Sequence, residues 1–309
     1  MGHVESGATV RYTTAQRLSD DLAGADALFV WDFTSTAVAG AWPAADRLQW
    51  VHIASAGVDR LLFSELRDSS VVLTNSRGIF EGPIAEYVLG LVIAFAKDFA
   101  TTMDDQRARR WRHRETERIA DRNVLVIGTG PIGRATARLL RAAGMRVEGL
   151  GRRGVPDDPD FGTVYGMPAL TERLGQADFV VAVAPLTEQT TGMFNRDTLA
   201  AMRPSARLIN VGRGQLVVTD DLVKAVEDGT IAGAALDVFE TEPLGESSPL
   251  WSLPNILLSP HMSGDAIGWR AALAELFVAN FRRWRAGEPL HNVVDKQLGY
   301  VPGTGTSRD

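Results

Sequence analysis

One stretch of the chain decides its fold: Asn123-Val124-Leu125-Val126-Ile127-Gly128-Thr129-Gly130-Pro131-Ile132-Gly133. Its apolar first half predicts a buried strand, and residues 134–143 predict a helix directly after the glycine-rich turn. In such a turn Gly128 permits the sharp bend, Gly130 lets the backbone approach a pyrophosphate, and Gly133 lets the helix pack on the strand. The helix N-terminus offers unpaired N–H groups and partial positive charge to phosphates. The stretch therefore predicts a dinucleotide-binding turn, with cofactor contacts at Gly128, Gly130, Pro131, Ile132 and Gly133.

Length, charge and cysteine content exclude several classes of protein. A chain of 309 residues predicts two domains, and a net charge of −6 argues against broad electrostatic binding to nucleic acid or an anionic membrane. The absence of cysteine excludes disulfides, thiolate metal sites and a cysteine nucleophile, and it fits a cytoplasmic location. The longest apolar run, Tyr87–Ala96, is too short to span a bilayer. We expect no metal, nucleic-acid or membrane partner.

Strand and helix patterns alternate along the whole chain, which predicts parallel strands joined by crossover helices. The predicted strands are residues 27–31, 50–53, 71–74, 124–127, 146–150, 179–183, 207–210, 234–238 and 255–259. The fold class is therefore α/β with two doubly wound parallel-sheet domains. We expect a Rossmann cofactor domain, residues 99–276, inserted in a flavodoxin-like substrate domain formed by residues 1–98 and 277–309.

The first strand after the turn, residues 146–150, indicates which dinucleotide is bound. NAD is usually held by an acidic residue about 20 positions beyond the first glycine, at the tip of this strand. Here the strand runs out into Arg152 and Arg153, while Glu148 lies short of the tip. Guanidinium groups pair with a 2′-phosphate that a carboxylate would repel. We therefore predict NADPH as cofactor, with NAD possible; the alternative is that Arg152 and Arg153 are solvated loop residues.

Three polar segments follow the last three predicted strands. They are residues 210–214, residues 237–244 and residues 259–264. Because the carboxyl ends of parallel strands share one edge of a sheet, a cation, a carboxylate and an imidazole are expected at that edge.

With these segments the chain resembles the D-isomer-specific 2-hydroxyacid dehydrogenases over nearly its whole length. The resemblance lies in Ser55-Ala56-Gly57-Val58-Asp59, Asn75 with Gly78, Ala85-Glu86-Tyr87, the glycine turn, Pro185-Leu186-Thr187, Val211-Gly212-Arg213-Gly214, Asp237-Val238-Phe239, Glu242-Pro243 and Pro260-His261. It implies reduction of a 2-oxo acid to a D-2-hydroxy acid, or the reverse oxidation, by a homodimer.

The resemblance also implies roles for individual residues. Arg213 should grip the 2-oxo acid, His261 should donate the proton, and Glu242 should orient His261. Further cofactor contacts are expected at Pro185, Thr187, Val211 and, toward the nicotinamide carboxamide, Asp237. The substrate carboxylate should meet the backbone at Ala56 and Gly57. Apart from the resemblance, Arg77, Ile79 and Phe80 follow the third predicted strand and are expected to wall the substrate cleft, and the further candidate substrate contacts are Arg77, Gly78 and Ile79.

The chemistry of carbonyl reduction gives these residue types a reason. Hydride transfer to the carbonyl carbon leaves negative charge on oxygen, which a fixed cation stabilises and a protonated imidazole neutralises. A carboxylate beside an imidazole favours the imidazolium. Formate dehydrogenases, which resemble this family, carry Gln as the partner of the histidine, so Glu242 argues against formate oxidation.

Several alternatives stay open at this stage. Asp237 could cap a strand end, Thr187 could terminate a turn, and Glu240 competes with Glu242 for the role beside the histidine. The alternative functions are an NAD-preferring dehydrogenase of another small acid and a dinucleotide-sensing regulator on the same fold.

Overall fold

The computed structural model of the chain describes residues 2–302. Its strands are β1 Ala27–Val30, β2 Trp50–Ile53, β3 Val72–Thr74, β4 Asn123–Ile127, β5 Arg146–Gly151, β6 Val155–Asp158, β7 Gly162–Gly166, β8 Phe179–Ala182, β9 Arg207–Asn210, β10 Gly233–Leu236 and β11 Ile256–Leu258. Its helices are α1 Gly2–Glu5, α2 Leu18–Leu22, α3 Ala37–Ala41, α4 Ser64–Asp68, α5 Glu81–Ala96, α6 Phe99–Arg107, α7 Pro131–Ala142, α8 Leu170–Leu174, α9 Arg196–Ala200, α10 Thr219–Glu227 and α11 Trp269–Arg285. All nine predicted strands are present, and the expected parallel α/β architecture is confirmed.

The chain forms two compact units, with boundaries at Phe80/Glu81 and Ala266/Ile267. The sequence pattern predicts boundaries at 98/99 and 276/277 instead. The first boundary differs because α5 packs against α7, the helix after the glycine turn, and so belongs to the second unit. The other differs because α11 is one continuous helix that stays in the first unit.

The first unit is built on a three-stranded parallel sheet in the order β1-β2-β3. An aromatic cluster joins α11 to this sheet: Phe277 stacks on Phe29 at 4.2 Å between ring centroids and on Trp50 at 5.3 Å. Trp50 is fully buried. Burial of these rings explains why a helix near the C-terminus completes a domain that the first 80 residues begin.

A second link ties the C-terminal segment to this unit. The Lys296 ammonium donates hydrogen bonds to the backbone carbonyls of Leu66, Ser69 and Val71 at 3.0, 2.6 and 3.0 Å. Burial lowers the pKa of Lys296. The amine thus adds a donor for carbonyls at and beyond the end of α4, where Leu66 O also accepts from Ser69 N and Ser69 Oγ at 3.3 and 2.8 Å.

His52 lies fully buried on β2, in a chain of hydrogen bonds. Trp50 Nε1 donates to Thr74 Oγ1 at 2.8 Å, and Thr74 Oγ1 lies 2.7 Å from His52 Nδ1 and 3.4 Å from its acceptor Val51 O. On the other side of the ring, His52 Nε2 lies 3.4 Å from Ser76 Oγ, which donates to Ile53 O. The imidazole is thus satisfied as a neutral ring, and burial lowers its pKa to about 4.

The second unit contains an eight-stranded sheet in the order β11-β10-β9-β8-β4-β5-β7-β6, parallel except for β6 at the edge. The chain leaves β4 toward β5 on one side and later returns to β8 on the other. The crevice between β4 and β8 is therefore the switch point, where open parallel sheets bind ligands.

The strands β6 and β7 were not predicted from the sequence. Val155–Asp158 contains a proline and two aspartates and has no apolar alternation. The hairpin of β6 and β7 is stabilised instead by contacts with α7. Arg134 on that helix forms two hydrogen bonds with the Asp158 carboxylate, each 3.0 Å long, and contacts Asp160 at 2.9 Å.

A break at Asp98 separates α5 from α6. Asp98 adopts a left-handed backbone conformation with φ 50°, which interrupts the helix, and its carboxylate accepts from Thr101 N at the start of α6. Over residues 2–302, no helix has both the length and the apolar content needed to cross a bilayer, and no cluster of His, Asp or Glu side chains is arranged to hold a metal ion.

We predict that His52 makes stability depend on pH. Its pKa is lower in the folded protein than in the unfolded chain, so the unfolded chain binds more protons between pH 6.5 and about 4. The stabilisation that depends on a neutral His52 is fully present above pH 6.5. It is lost as the pH falls, and the free energy of unfolding then decreases by up to ~3 kcal/mol. Chemical denaturation from pH 7 to pH 4 should show this loss in the wild type. It should be reduced in His52→Gln and retained in His113→Gln, which changes an exposed histidine; equal pH dependence in all three contradicts the assignment.

Candidate active site

The glycine turn after β4 forms a backbone cradle at the switch point. Gly128 has φ 114°, and a Cβ there would lie 2.7 Å from the backbone of Val183 and Ala184. A Cβ at Gly133 would lie 1.9 Å from Gly128 O. Gly130 caps α7 with no protein atom within 4 Å of its Cβ position. The two tight glycines bring strand, turn and helix together, while Gly130 leaves open space at the helix N-terminus, next to Pro131 and Ile132.

The other predicted cofactor residues follow strands of the same sheet. Pro185 and Thr187 lie in the exposed loop after β8, and Val211 is buried directly after β9. Thr187 starts a tight turn, since its carbonyl accepts from Thr190 N and Thr191 N at 3.1 and 2.9 Å. The structure places all three residues at the carboxyl edge, and their contacts with a cofactor stay a prediction.

Arg213 is presented by a short turn that the buried Asn210 holds. Asn210 Oδ1 accepts from Gly212 N at 3.1 Å, and its Nδ2 donates to Arg213 O at 2.9 Å. The Arg213 side chain is half-buried, and its Nη1 donates to Gly212 O. Asn210 was not singled out in the sequence, although its place at the last position of a buried strand was a usable signal.

His261 and Glu242 form the central pair of the site. His261 Nδ1 lies 2.9 Å from Glu242 Oε2, and Glu242 Oε1 accepts from Phe239 N at 3.0 Å. The two side chains are 33% and 17% exposed, so the pair is accessible at one side. Because a carboxylate only accepts, Nδ1 is the donor, and Nε2 is the ring nitrogen that can deliver a proton.

Gly214 connects the arginine turn to this pair. A Cβ at Gly214 would lie 1.8 Å from the carbonyl carbon of Phe239, the residue whose N–H holds Glu242. The segment carrying Arg213 and the segment carrying Glu242 are therefore in direct backbone contact. The predicted cation, carboxylate and imidazole thus share one contiguous part of the sheet edge.

The structure decides between the two candidate acids beside the histidine. Glu240 Oε2 accepts from Thr219 N at 3.2 Å and from the Thr219 hydroxyl, at the first turn of α10. That carboxylate accepts hydrogen bonds at a helix N-terminus, and its negative charge interacts favourably with the helix dipole. Glu242 alone of the two contacts His261 in the described part of the chain.

Asp237 has contacts that the sequence analysis did not foresee. Its side chain is 1% exposed and accepts three hydrogen bonds from the segment 259–263 that carries His261. His261 itself has φ 52°, a left-handed conformation that is unfavourable for a residue other than glycine by about 1–2 kcal/mol. The contact of Asp237 with a nicotinamide carboxamide stays a prediction.

Arg152 and Arg153 lie exposed at the carboxyl end of β5, beside the glycine turn. A Cβ at Gly151 would meet Thr129 Oγ1 at 2.9 Å, which shows how close this strand end is to the turn. Glu148 faces away, toward Tyr165 and Arg173 at 3.4 and 3.7 Å. The strand tip therefore presents guanidinium groups, as predicted from the sequence.

The predicted substrate residues lie in the first unit and share one edge of its sheet. Ala56 and Gly57 follow β2, and Ala56 O accepts from Asn75 Nδ2 at 2.6 Å. The Arg77 guanidinium donates to the carbonyls of Val301 and Pro302 at 3.3 and 3.5 Å. Gly78 has φ 102° and Ile79 is half-buried. The structure brings these two loops together, and their contact with substrate stays a prediction.

A cavity of about 500 Å³ in the second unit lies beside the histidine segment. It is lined by α5, including Glu86, Tyr87 and Leu91, and by Met262 and Asp265 just after His261.

The chain is similar to known dehydrogenases and reductases over most of its length. The sequence model described as "D-isomer specific 2-hydroxyacid dehydrogenase, NAD binding domain" matches residues 89–263. A glyoxylate reductase of Thermococcus onnurineus is 34% identical over 265 residues, covering 82% of this chain and 78% of that protein.

Solved structures show the same likeness over both units. An NADPH-dependent glyoxylate/hydroxypyruvate reductase of Sinorhizobium meliloti, in complex with NADP and sulfate, superposes with a TM-score of 0.82 at 28% identity, covering 97% of this chain and 95% of that one. A dehydrogenase of Xanthobacter autotrophicus, in complex with NADPH and MES, has a TM-score of 0.77 at 35% identity, covering 90% and 86%.

We predict opposite outcomes for alanine at two positions of the glycine turn. Gly130→Ala has room for its Cβ and an ordinary φ of −74°, so the melting temperature should stay unchanged. The methyl group instead blocks the approach of a pyrophosphate, and the Kd for dinucleotide should rise about tenfold or more. Gly133→Ala places a Cβ 1.9 Å from Gly128 O and should destabilise the fold. Calorimetry and fluorescence titration separate the two effects; unchanged dinucleotide affinity in Gly130→Ala would contradict the cradle.

Proposed function

The chain belongs to the D-isomer-specific 2-hydroxyacid dehydrogenases, which are NAD(P)-dependent oxidoreductases, and we propose that it reduces a 2-oxo acid to the D-2-hydroxy acid with NADPH. The observation that carries this proposal is the His261–Glu242 pair, 2.9 Å apart at the carboxyl edge of the dinucleotide-binding sheet. The pair combines a proton donor with the acid that orients it, in contact with the turn that carries Arg213.

The residues present fit a dinucleotide. The open space at Gly130 and the N–H groups at the start of α7 suit a pyrophosphate, as they would in any strand–glycine turn–helix unit. The exposed guanidinium groups of Arg152 and Arg153 suit a 2′-phosphate. Two similar solved structures contain NADP or NADPH, which supports the same preference here.

Arg213 acts on the substrate in the proposed reaction. Its guanidinium stays charged and can form two parallel hydrogen bonds to a 2-oxo acid, through the carboxylate or through the carbonyl oxygen. A bound reduced nicotinamide would supply the hydride that the carbonyl carbon accepts. The cation then stabilises the negative charge that develops on the carbonyl oxygen.

His261 completes the reduction by delivering a proton from Nε2 to that oxygen. Glu242 accepts from Nδ1 and so keeps Nε2 directed away from the Glu242 contact. The neutral ring left after transfer regains its proton from solvent, since the side chain is one-third exposed.

We further propose that the protein is a homodimer in the cytoplasm. Trp111 is fully exposed on an irregular segment after α6, and that segment is held by the buried Asp105, which pairs with Arg110 and Arg112 at 3.2 and 3.0 Å. A large aromatic side chain on an anchored, exposed segment is typical of an interface. Sedimentation equilibrium checks this, and a monomeric mass at micromolar concentration contradicts it.

A substrate panel tests the proposed function. Purified protein should oxidise NADPH with at least one 2-oxo acid among glyoxylate, hydroxypyruvate, pyruvate and phenylpyruvate, and the product should have D configuration. His261→Gln should lower kcat about 10²–10⁴-fold while the Kd for NADPH stays unchanged. Tight dinucleotide binding without turnover of any acid would instead favour a dinucleotide-sensing regulator.

Two neighbouring glutamates provide a matched pair of variants. Glu242→Gln removes the carboxylate that orients His261, so kcat should fall about tenfold or more. Glu240→Gln weakens only the cap of α10 and should cost about 1 kcal/mol of stability with kcat retained. Steady-state kinetics and denaturation of both variants check the assignment, which a larger loss of kcat in Glu240→Gln would reverse.

Cofactor preference should depend on the strand-end arginines. Replacing Arg152 and Arg153 together by Ala should lower kcat/KM for NADPH about 10–100-fold, because charged hydrogen bonds to the 2′-phosphate are lost. The value for NADH should change little. Arg196→Ala, at an exposed arginine on α9, serves as the control. Unchanged NADPH use in the double variant would show that these arginines are solvated loop residues.

A further inference from the structure

We propose that Asp237 is a positioning residue for the reaction: its buried carboxylate holds the segment 259–263 in the conformation that brings His261 to Glu242. This inference rests on the proposed function, in which His261 delivers the proton. It gives Asp237 a task that is separate from contact with a cofactor.

The contacts of Asp237 enclose His261 on both sides. Ser259 Oγ and Met262 N donate to Oδ1 at 2.6 and 2.9 Å, and Ser263 N donates to Oδ2 at 2.9 Å. The backbone carbonyl of Asp237 accepts from His261 N at 2.7 Å. Asp237 thus contacts Ser259, two positions before His261, the backbone of His261 itself and the two residues after it.

The backbone of His261 explains why such a tether is needed. With φ 52° it occupies the left-handed region, which residues with a Cβ adopt only when surrounding contacts hold them there. The segment 259–263 forms no helix or strand of its own. Apart from its bonds to Asp237, it has backbone hydrogen bonds from Ser259 N to Leu236 O at 3.0 Å and from His261 N to Ser259 O at 3.1 Å. The carboxylate therefore supplies the contacts that keep the imidazole within 2.9 Å of Glu242.

The chemistry of the carboxylate matters as well as its shape. Both oxygens accept hydrogen bonds, and the side chain is 1% exposed. An amide at this position would turn one acceptor into an NH₂ donor facing a backbone N–H. Asp237→Asn should therefore loosen the segment although it scarcely changes the volume of the side chain.

A double-variant cycle distinguishes positioning from direct action on the cofactor. If Asp237 acts through the His261–Glu242 pair, Asp237→Asn should lower kcat about tenfold or more, and adding it to Glu242→Gln should lower kcat little further. The Kd for NADPH should stay within about twofold of the wild-type value, since the dinucleotide turn is untouched. Losses of kcat that multiply in the double variant, or a Kd for NADPH that rises more than kcat falls, would overturn the proposal.

Asp178→Asn is the matched control. Its carboxylate also accepts from a backbone N–H, that of Asn123 at 2.8 Å, and from Arg203 at 3.0 Å, but at the opposite edge of the same sheet. This variant should lose stability with the pH profile of kcat unchanged. Asp237→Asn should instead move that profile toward the profile of Glu242→Gln.

Hydrogen exchange tests the tether independently of turnover. The amides of Met262 and Ser263 should exchange slowly in the wild type and markedly faster in Asp237→Asn, with no change in the amides around the glycine turn. Ser259→Ala, which removes one of the three side-chain bonds, should show a smaller change of the same kind and covers the case in which Asp237→Asn does not fold. If the wild type reduces no 2-oxo acid, the proposed function fails, whereas unchanged exchange in these variants refutes the tether itself.

Discussion

Backbone segments at the carboxyl edge of the eight-stranded sheet pack closer together than a Cβ would allow. Gly128 meets the backbone after β8, Gly133 meets Gly128, and Gly214 meets Phe239, in each case at distances where only hydrogen fits. These contacts draw the loops of four strands into one layer. The dinucleotide turn, the arginine turn and the histidine pair are therefore neighbours because glycine is present at three positions, and the chemistry assigned to the site depends on that packing.

At this edge of the sheet, the hydrogen-bond partners of Asp237, Glu240 and Glu242 determine the role of each carboxylate. Glu240 satisfies the start of α10, Asp237 satisfies the segment 259–263, and Glu242 spans Phe239 N and His261. Since buried polar groups are rarely left unpaired, the set of partners limits what each carboxylate can still do. Three acidic residues within six positions of sequence thus have three different roles: Glu240 binds the start of a helix, Asp237 binds a loop, and Glu242 acts in the proposed reaction.

The two units illustrate different ways in which distant sequence completes a domain. In the first unit, α11 and the segment around Lys296 supply a ring stack and three hydrogen bonds to elements more than 200 residues earlier in the chain. In the second, α5 joins through its packing on α7. The domain boundaries follow these contacts rather than the change from apolar to charged sequence near residue 99. This is why the predicted boundaries and those of the structure differ at both junctions.

The sequence by itself determined the strands, the glycine turn and the order of Arg213, Glu242 and His261 at strand ends. The pattern of apolar residues indicates which segments are buried, and glycine indicates where the backbone makes a tight turn. Both are local properties, so the sequence alone reveals them. Only the tertiary structure decided that Glu242 and not Glu240 meets the histidine, that Asp237 turns toward the histidine segment, and that β6 and β7 form against Arg134. These outcomes depend on distances between side chains and backbone groups on different loops, and sequence spacing does not encode such distances.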